Sequence, residues 1–410
     1  MNQSPRFTSA RGLISRLCEA RALGAILWLI CMAGCATTPA GSAPSVRLVQ
    51  TRNVELPARL ISNLFLIEAK QPDGRVRRFI IDTGSSANLI SPEYAARNGR
   101  RDRTATPRAV QVRSATGVEV SLDSVVLRRL QLDGTLFADV PALIYDFSEL
   151  STHLGLPIDG LLGFALFREL LLTLDYPRAQ LRLVHRPIGT GRPADGANTI
   201  TFNNERRTPL IPVQMGHESF MALLDSGSDG ALILNPTGLH PRFRYGPRPG
   251  TVISSMAGDS HQMAGRLGQD IFLGGHTVKN PIVDLTDQLS SIGGEILRNF
   301  SLTFDQRSNT VVFARTTEGD ILLEPRRSTG LAIARSPIYW RVMAVIDDTP
   351  TAKTAIQPGD LIVRINGEPV AKWNFERYAT LLASAAKVTY TFLSGSREFD
   401  LEIVVFELVP

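Results

Sequence analysis

Phe79-Ile-Ile-Asp-Thr-Gly-Ser-Ser-Ala-Asn-Leu-Ile90 recurs further along the chain as Ala222-Leu-Leu-Asp-Ser-Gly-Ser-Asp-Gly-Ala-Leu-Ile233. In each copy an apolar run of the kind that forms a buried strand delivers an aspartate, a hydroxyl residue and a glycine, and a second short apolar run follows. The likeness extends outward. Val112-Arg-Ser-Ala-Thr-Gly117 has a looser echo in Ile253-Ser-Ser-Met-Ala-Gly258. Leu161-Leu-Gly-Phe-Ala-Leu-Phe-Arg168 and Leu172-Thr-Leu-Asp175 are matched by Ser291-Ile-Gly-Gly-Glu-Ile-Leu-Arg298 and Leu302-Thr-Phe-Asp305. Self-similarity in one fixed order predicts two lobes of like fold. The interval from Asp82 to Gly163 exceeds that from Asp225 to Gly293, which places an insertion near Asp146 to Pro157 in the first lobe.

Around these segments the chain alternates apolar and polar residues between Gly, Pro and Asn, with little sustained helical period, so a mostly β protein is expected. Its 43% hydrophobic and 20% charged residues are those of an ordinary globular chain, and 410 residues leave room for more than one domain. The expected organisation is a leader over 1–34, a flexible tether over 35–50, lobe 1 over 51–188 and a linker over 189–198. Lobe 2 follows over 199–316, and a further domain over 326–410.

Two duplicated lobes can meet at a pseudo-two-fold axis, which would put Asp82 beside Asp225. Carboxylates about 3 Å apart cannot both ionise, so they share a proton and one serves as base while the other serves as acid. Such a pair can activate a water against a peptide carbonyl with no metal and no cofactor. Gly84 and Gly227 let the backbone turn and bring N–H groups to the carboxylates. Thr83 and Ser226 supply hydroxyls able to bond across the interface. Ser85 and Ser228 are expected to donate to the outer carboxylate oxygens, pulling the dyad's titration downward and giving an acidic activity optimum.

Asp-Thr-Gly-Ser-Ser and Asp-Ser-Gly-Ser, each after an apolar strand and before an apolar-apolar-Gly element, resemble the clan AA aspartic peptidases over roughly residues 60–314. The lobe size is similar to bacterial retropepsin-like domains, here in tandem within one chain. The resemblance implies the bilobal acid-protease β-barrel fold, a protein or peptide substrate, and a monomer sufficient for catalysis. It also implies flaps at Ala115, Thr116 and Gly117 and at Met256, Ala257 and Gly258, although neither tip carries a Tyr. In the second lobe Ser291 stands where the pattern has an apolar residue. The alternative is a catalytically inactive scaffold that binds extended peptides.

Beyond Arg327 the pattern changes. Gln357-Pro-Gly-Asp-Leu-Ile-Val-Arg-Ile-Asn-Gly-Glu-Pro-Val370 resembles the centre of a bacterial PDZ domain, an α+β module, and Asn366-Gly367 signals a tight turn. By the same resemblance Gly330, Leu331, Ala332 and Ile333 fall in the loop that holds a peptide's terminal carboxylate, so a C-terminal peptide ligand is implied.

At the other end, Arg6, Arg11, Arg16 and Arg21 precede an apolar run too short to span a bilayer comfortably, which reads as an export signal. Met32-Ala-Gly-Cys35 resembles a bacterial lipobox, implying a lipid anchor on Cys35 and a place in the cell envelope, at the outer membrane facing the periplasm. A small, Pro-rich stretch from Ala36 to Ser45 suits a tether. All three cysteines lie in the first 35 residues, so no disulfide or thiolate metal site is available beyond them. The net charge of +5 owes three to the leader, and no basic stripe with interleaved aromatics suggests nucleic acid. The six histidines lack metal-ligand spacing and read as surface or structural, and no Gly-x-Ser-x-Gly elbow is present.

Overall fold

The computed structural model describes residues 46–410 except 51–52, 72, 101–108, 115, 186–195, 197, 256–257 and 395–396. The leader, Cys35 and most of the expected tether and 189–198 linker therefore lie outside the described residues. Among the described residues no helix is long and apolar enough to cross a membrane.

The protein is mostly β, as its alternating pattern predicts. In lobe 1, hydrogen-bonded strands run in the spatial order Leu64–Lys70, Val76–Asp82, Gly160–Gly163, Leu89–Ile90, Thr135–Ile144, Glu119–Leu132 and Ala109–Arg113. In lobe 2 the order is Leu210–Met215, Glu218–Leu224, Ser291–Ile292, Leu232–Leu234, Ile282–Leu285, Gly258–Leu267 and Phe243–Ser255. The two series match strand for strand, including their parallel pairs. Val76–Asp82 runs parallel to Gly160–Gly163, and Glu218–Leu224 runs parallel to Ser291–Ile292.

A shared sheet joins the lobes. Leu170–Asp175 pairs antiparallel with Ser301–Asp305, placing Thr173 opposite Thr303 with their hydroxyls 2.9 Å apart. These two residues occupy equivalent positions in the repeat and mark its pseudo-two-fold axis. Above the sheet, Phe164 packs edge-on against Phe304 at 5.3 Å and Phe202 at 5.7 Å, so one apolar core spans both lobes. Burying each such ring stabilises the fold by roughly 1.5–3 kcal/mol.

One feature departs from the sequence reading. The tether expected over 35–50 ends early, because Arg47–Gln50 pairs antiparallel with Thr135–Ile144. Leu48 packs on the core and Arg47 bridges to Asp139 at 2.7 Å, which fixes the strand. The insertion near Asp146 to Pro157 contains a helix, Ser148–Leu154, whose Leu150 and Leu154 are buried with Leu161 in a second apolar cluster of lobe 1.

The C-terminal domain is a six-stranded sheet around the Phe375–Ser384 helix. Asn374 caps that helix, its side chain accepting from the Arg377 N–H at 2.8 Å. Asn366 and Gly367 both adopt positive φ, the geometry of a type I′ hairpin turn. The domain is fastened to lobe 2 by Arg326, which makes a bidentate ion pair with Asp284 at 2.7 and 3.0 Å. Leu408 and Val409 are buried against Ala264 and Ile282 of the same lobe.

Candidate active site

Asp82 ends the strand Val76–Asp82 and Asp225 directly follows the strand Glu218–Leu224, and the shared sheet brings the two positions together. A Cβ built on Gly84 would stand 2.4 Å from Asp225 Oδ1, and one on Gly227 would stand 2.4 Å from Asp82 Cγ. Each glycine is thus the surface against which the other lobe's carboxyl lies, and any side chain there would displace it.

The interface is locked by a reciprocal set of hydrogen bonds. Thr83 Oγ1 donates to Leu224 O at 2.6 Å, and Ser226 Oγ donates to Ile81 O at 2.7 Å. In return Ser226 Oγ accepts from the Thr83 N–H at 3.0 Å, and Thr83 Oγ1 accepts from the Ser226 N–H at 3.1 Å. Both side chains are fully buried, so these bonds act away from competing water.

Asp82 and Asp225 are also fully buried and lie within hydrogen-bonding reach of each other. Burial raises both carboxyls above their ordinary range. Asp82 rises well above it, because the charge of Asp225 and the hydrogen bond between the two add to burial. A hydrogen bond between the two carboxyls needs a proton on one of them, so the pair shares a single proton. Backbone donors oppose the rise: the Ser85 N–H reaches Asp82 Oδ1 at 3.0 Å, and the Gly227 N–H reaches Asp225 Oδ1 at 2.9 Å. Asp82 Oδ2 and Asp225 Oδ2 accept nothing from any donor group among the described residues.

The hydroxyls of Ser85 and Ser228 do not play the expected part. Ser85 Oγ donates to Ala87 O at 2.8 Å, an acceptor two residues ahead that is closer than the carboxylate. Ser228 Oγ makes no hydrogen bond and faces Gly293, whose Cβ would stand 2.7 Å from it. Without those two hydroxyl donors the downward pull on the dyad comes only from backbone N–H groups, and burial outweighs it. This also removes the ground for an acidic optimum.

Of the expected flap residues, Ala115, Met256 and Ala257 lie outside the described residues. Thr116 and Gly117 follow the Ala109–Arg113 strand, with Ser114 Oγ and Thr116 Oγ1 3.0 Å apart and Gly117 O accepting from Arg113 Nε at 3.1 Å. Gly117 reaches across to lobe 2, where a Cβ on it would stand 2.7 Å from Gln288 Oε1. Gly258 opens the second hairpin strand opposite Ser255.

Three residues at the site carried no motif. Asn88 joins the elements around Asp82: its Oδ1 accepts from the Gly163 N–H at 3.0 Å and its Nδ2 donates to Pro141 O at the same distance. In lobe 2 the equivalent bond runs from the Gly293 N–H to the backbone oxygen of Ala231. Tyr176 is buried with its hydroxyl unpaired, and burial, then Asp225 and Asp82, raise its pKa. Asp229 stands where the first copy has Ser86, and burial pushes its carboxyl up to about 8. The repeat alignment exposes two of these as mismatches, Asn88 with Ala231 and Ser86 with Asp229.

Among the described residues no group of three or more His, Cys, Asp or Glu is arranged to hold a metal ion. In the C-terminal domain, Gly330 has φ of 79° and its N–H bonds to Ser328 Oγ at 2.9 Å. Leu331, Ala332 and Ile333 begin the edge strand Leu331–Arg335 of the sheet. Residues 68–166 match the family described as Aspartyl protease, and residues 325–391 match the PDZ domain family. No curated protein matches the chain.

Proposed function

From a chain that carries an aspartyl protease domain and a C-terminal PDZ domain, we propose an aspartic endopeptidase that hydrolyses peptide bonds of envelope or secreted proteins. The observation that carries this reading is the buried Asp82–Asp225 pair, each carboxyl set against the other lobe's glycine and locked by Thr83 and Ser226. A peptide carbonyl and a water enter at the Oδ2 side of the pair. Asp225, ionised, takes a proton from the water as its oxygen attacks the carbonyl carbon, while Asp82 gives its proton to the carbonyl oxygen. The resulting gem-diol collapses with proton transfer to the amide nitrogen, the C–N bond breaks, and the dyad recovers its single proton. Preorganised acid and base in a dry site supply the catalysis.

The Ala109–Arg113 hairpin, reaching Gln288 across the cleft, acts as a lid that lifts to admit substrate. The PDZ domain docks the substrate or a partner through an extended C-terminal segment. Lipidation of Cys35 and the small, polar residues after it would hold the protein at the envelope membrane, with the outer membrane facing the periplasm as the proposed site. One chain supplies both aspartates, which supports action as a monomer.

The test is cleavage of a denatured-protein peptide library by the unaltered chain and by Asp82→Ala and Asp225→Ala. Loss of cleavage in both variants is expected. Cleavage retained in either sinks the dyad, and an inert unaltered chain favours a peptide-binding scaffold.

A further inference from the structure

The edge strand Leu331–Arg335 and the helix Phe375–Ser384 bound the peptide groove that the PDZ match implies, and Leu331, Ile333, Phe375 and Tyr378 of these two elements belong to one apolar cluster. No strand covers the outer edge of Leu331–Arg335 among the described residues, so its backbone can accept an added peptide strand. The far end of this groove is held by another part of the same chain. The lobe 1 helix Ser148–Leu154 lies against the edge strand. His153 stacks on Phe375 with ring centroids 4.1 Å apart and planes 26° apart, and Phe375 in turn stacks on Trp340 at 5.1 Å. Arg335 Nη1 donates to Thr152 O, while Arg335 Nε donates to Trp373 O at 3.2 Å, so one guanidinium ties the helix end to the groove wall.

Burial, and secondarily Arg335, depresses the His153 imidazole to about 4, so it sits in the stack uncharged at neutral pH. The helix belongs to the insertion that lobe 2 lacks. Its other face, Leu150 and Leu154, is anchored in lobe 1.

We propose that the Ser148–Leu154 helix is a built-in competitor for the outer half of the PDZ groove, so that an extended peptide ligand and the lobe 1 contact exclude one another. A ligand strand with its carboxylate at the Gly330 end runs toward Arg335 and Phe375. At about 3.4 Å per residue, the last four or so residues fit before the chain meets His153. A short apolar tail enters freely, and a longer one must part the PDZ domain from lobe 1. The PDZ domain is fastened to lobe 2 by Arg326 and Asp284. Parting therefore frees the lobe 1 helix from the PDZ domain while the shared sheet still joins the lobes, and the strand Gly160–Gly163, six residues beyond that helix, pairs with the strand that ends at Asp82. By linkage, peptide binding and release of lobe 1 favour each other to the same degree.

The inference rests on the peptide-docking half of the proposed function and is indifferent to hydrolysis. The test accordingly uses the full chain carrying Asp82→Asn, so that no probe is cut. Its probes are decapeptides with free C-termini and randomised last four residues, their amidated twins, and the corresponding tetrapeptides. In the chain with its helix contact intact, carboxylate-dependent tetrapeptides should bind about tenfold more tightly than decapeptides ending in the same sequence. His153→Glu, which puts a charge into the stack, should erase that difference by tightening the decapeptides alone. His153→Ala should do so in part and serves if the Glu variant melts early. Equal binding of long and short peptides before and after substitution overturns the proposal. So does the absence of any carboxylate-dependent binder in all variants.

Discussion

Burial at the lobe interface makes the folded chain hold protons on Asp82 and Asp225 to higher pH than the unfolded chain does. For a carboxyl raised in this way the stabilising contribution is fullest below the unfolded pKa, near 3.9, and is lost as pH rises through the folded value. Replacing one aspartate by a neutral isostere removes that loss. Asp225→Asn should therefore abolish cleavage yet raise Tm at pH 8 by about 3–6 °C, with little gain at pH 4, as read by thermal scans at both pH values. Ser226→Ala acts oppositely: it strips partners from the Thr83 N–H and Ile81 O, and denaturant unfolding should show a loss of about 1–3 kcal/mol. The aspartates and the residues after them were legible because duplication wrote the pattern twice. The roles of Ser85 and Ser228 were not, since a hydroxyl turns to whichever acceptor its rotamer reaches, and for Ser85 that is Ala87 O. Tyr176 was silent because it directly follows the strand Leu170–Asp175 at a position where lobe 2 has Gln306, so the repeat gives it no counterpart.

Lobe 2 reproduces the strand order of lobe 1 despite Ser291 at the place of Leu161. Ser291 is buried between Leu223 and Ile233 with its hydroxyl unpaired. Ser291→Ala should stabilise the chain by about 1 kcal/mol without altering cleavage, measured by denaturant midpoint and by rate. Strand content and hairpin order were readable from alternation and from the repeat. The Ser148–Leu154 helix showed only as surplus length, because seven residues are too few for a periodic signal and the helix is stabilised mainly by tertiary burial of Leu150 and Leu154. The Arg47–Gln50 strand was hidden by its polar ends, and a sheet edge in lobe 1 supplied the reason for its order.

The PDZ domain meets both lobes, through Arg326 on lobe 2 and through Arg335 and Phe375 on lobe 1. These are unequal attachments. Arg326 and Asp284 form a buried bidentate pair, and Arg326→Gln leaves an uncompensated carboxylate, which should cost about 3–5 kcal/mol in unfolding experiments. No sequence pattern announced this contact between domains, since each partner is an ordinary charged residue in its own strand. The Asp82–Asp225 dyad is the centre of the proposed chemistry, and its most direct test is the pH dependence of kcat/KM for a peptide selected from the cleavage library. A bell is expected whose alkaline limb falls near or above neutral pH, because burial raises the dyad, and whose activity vanishes in Asp82→Asn and Asp225→Asn. A rate that climbs steadily into alkaline pH, or a profile unchanged in either variant, would contradict it.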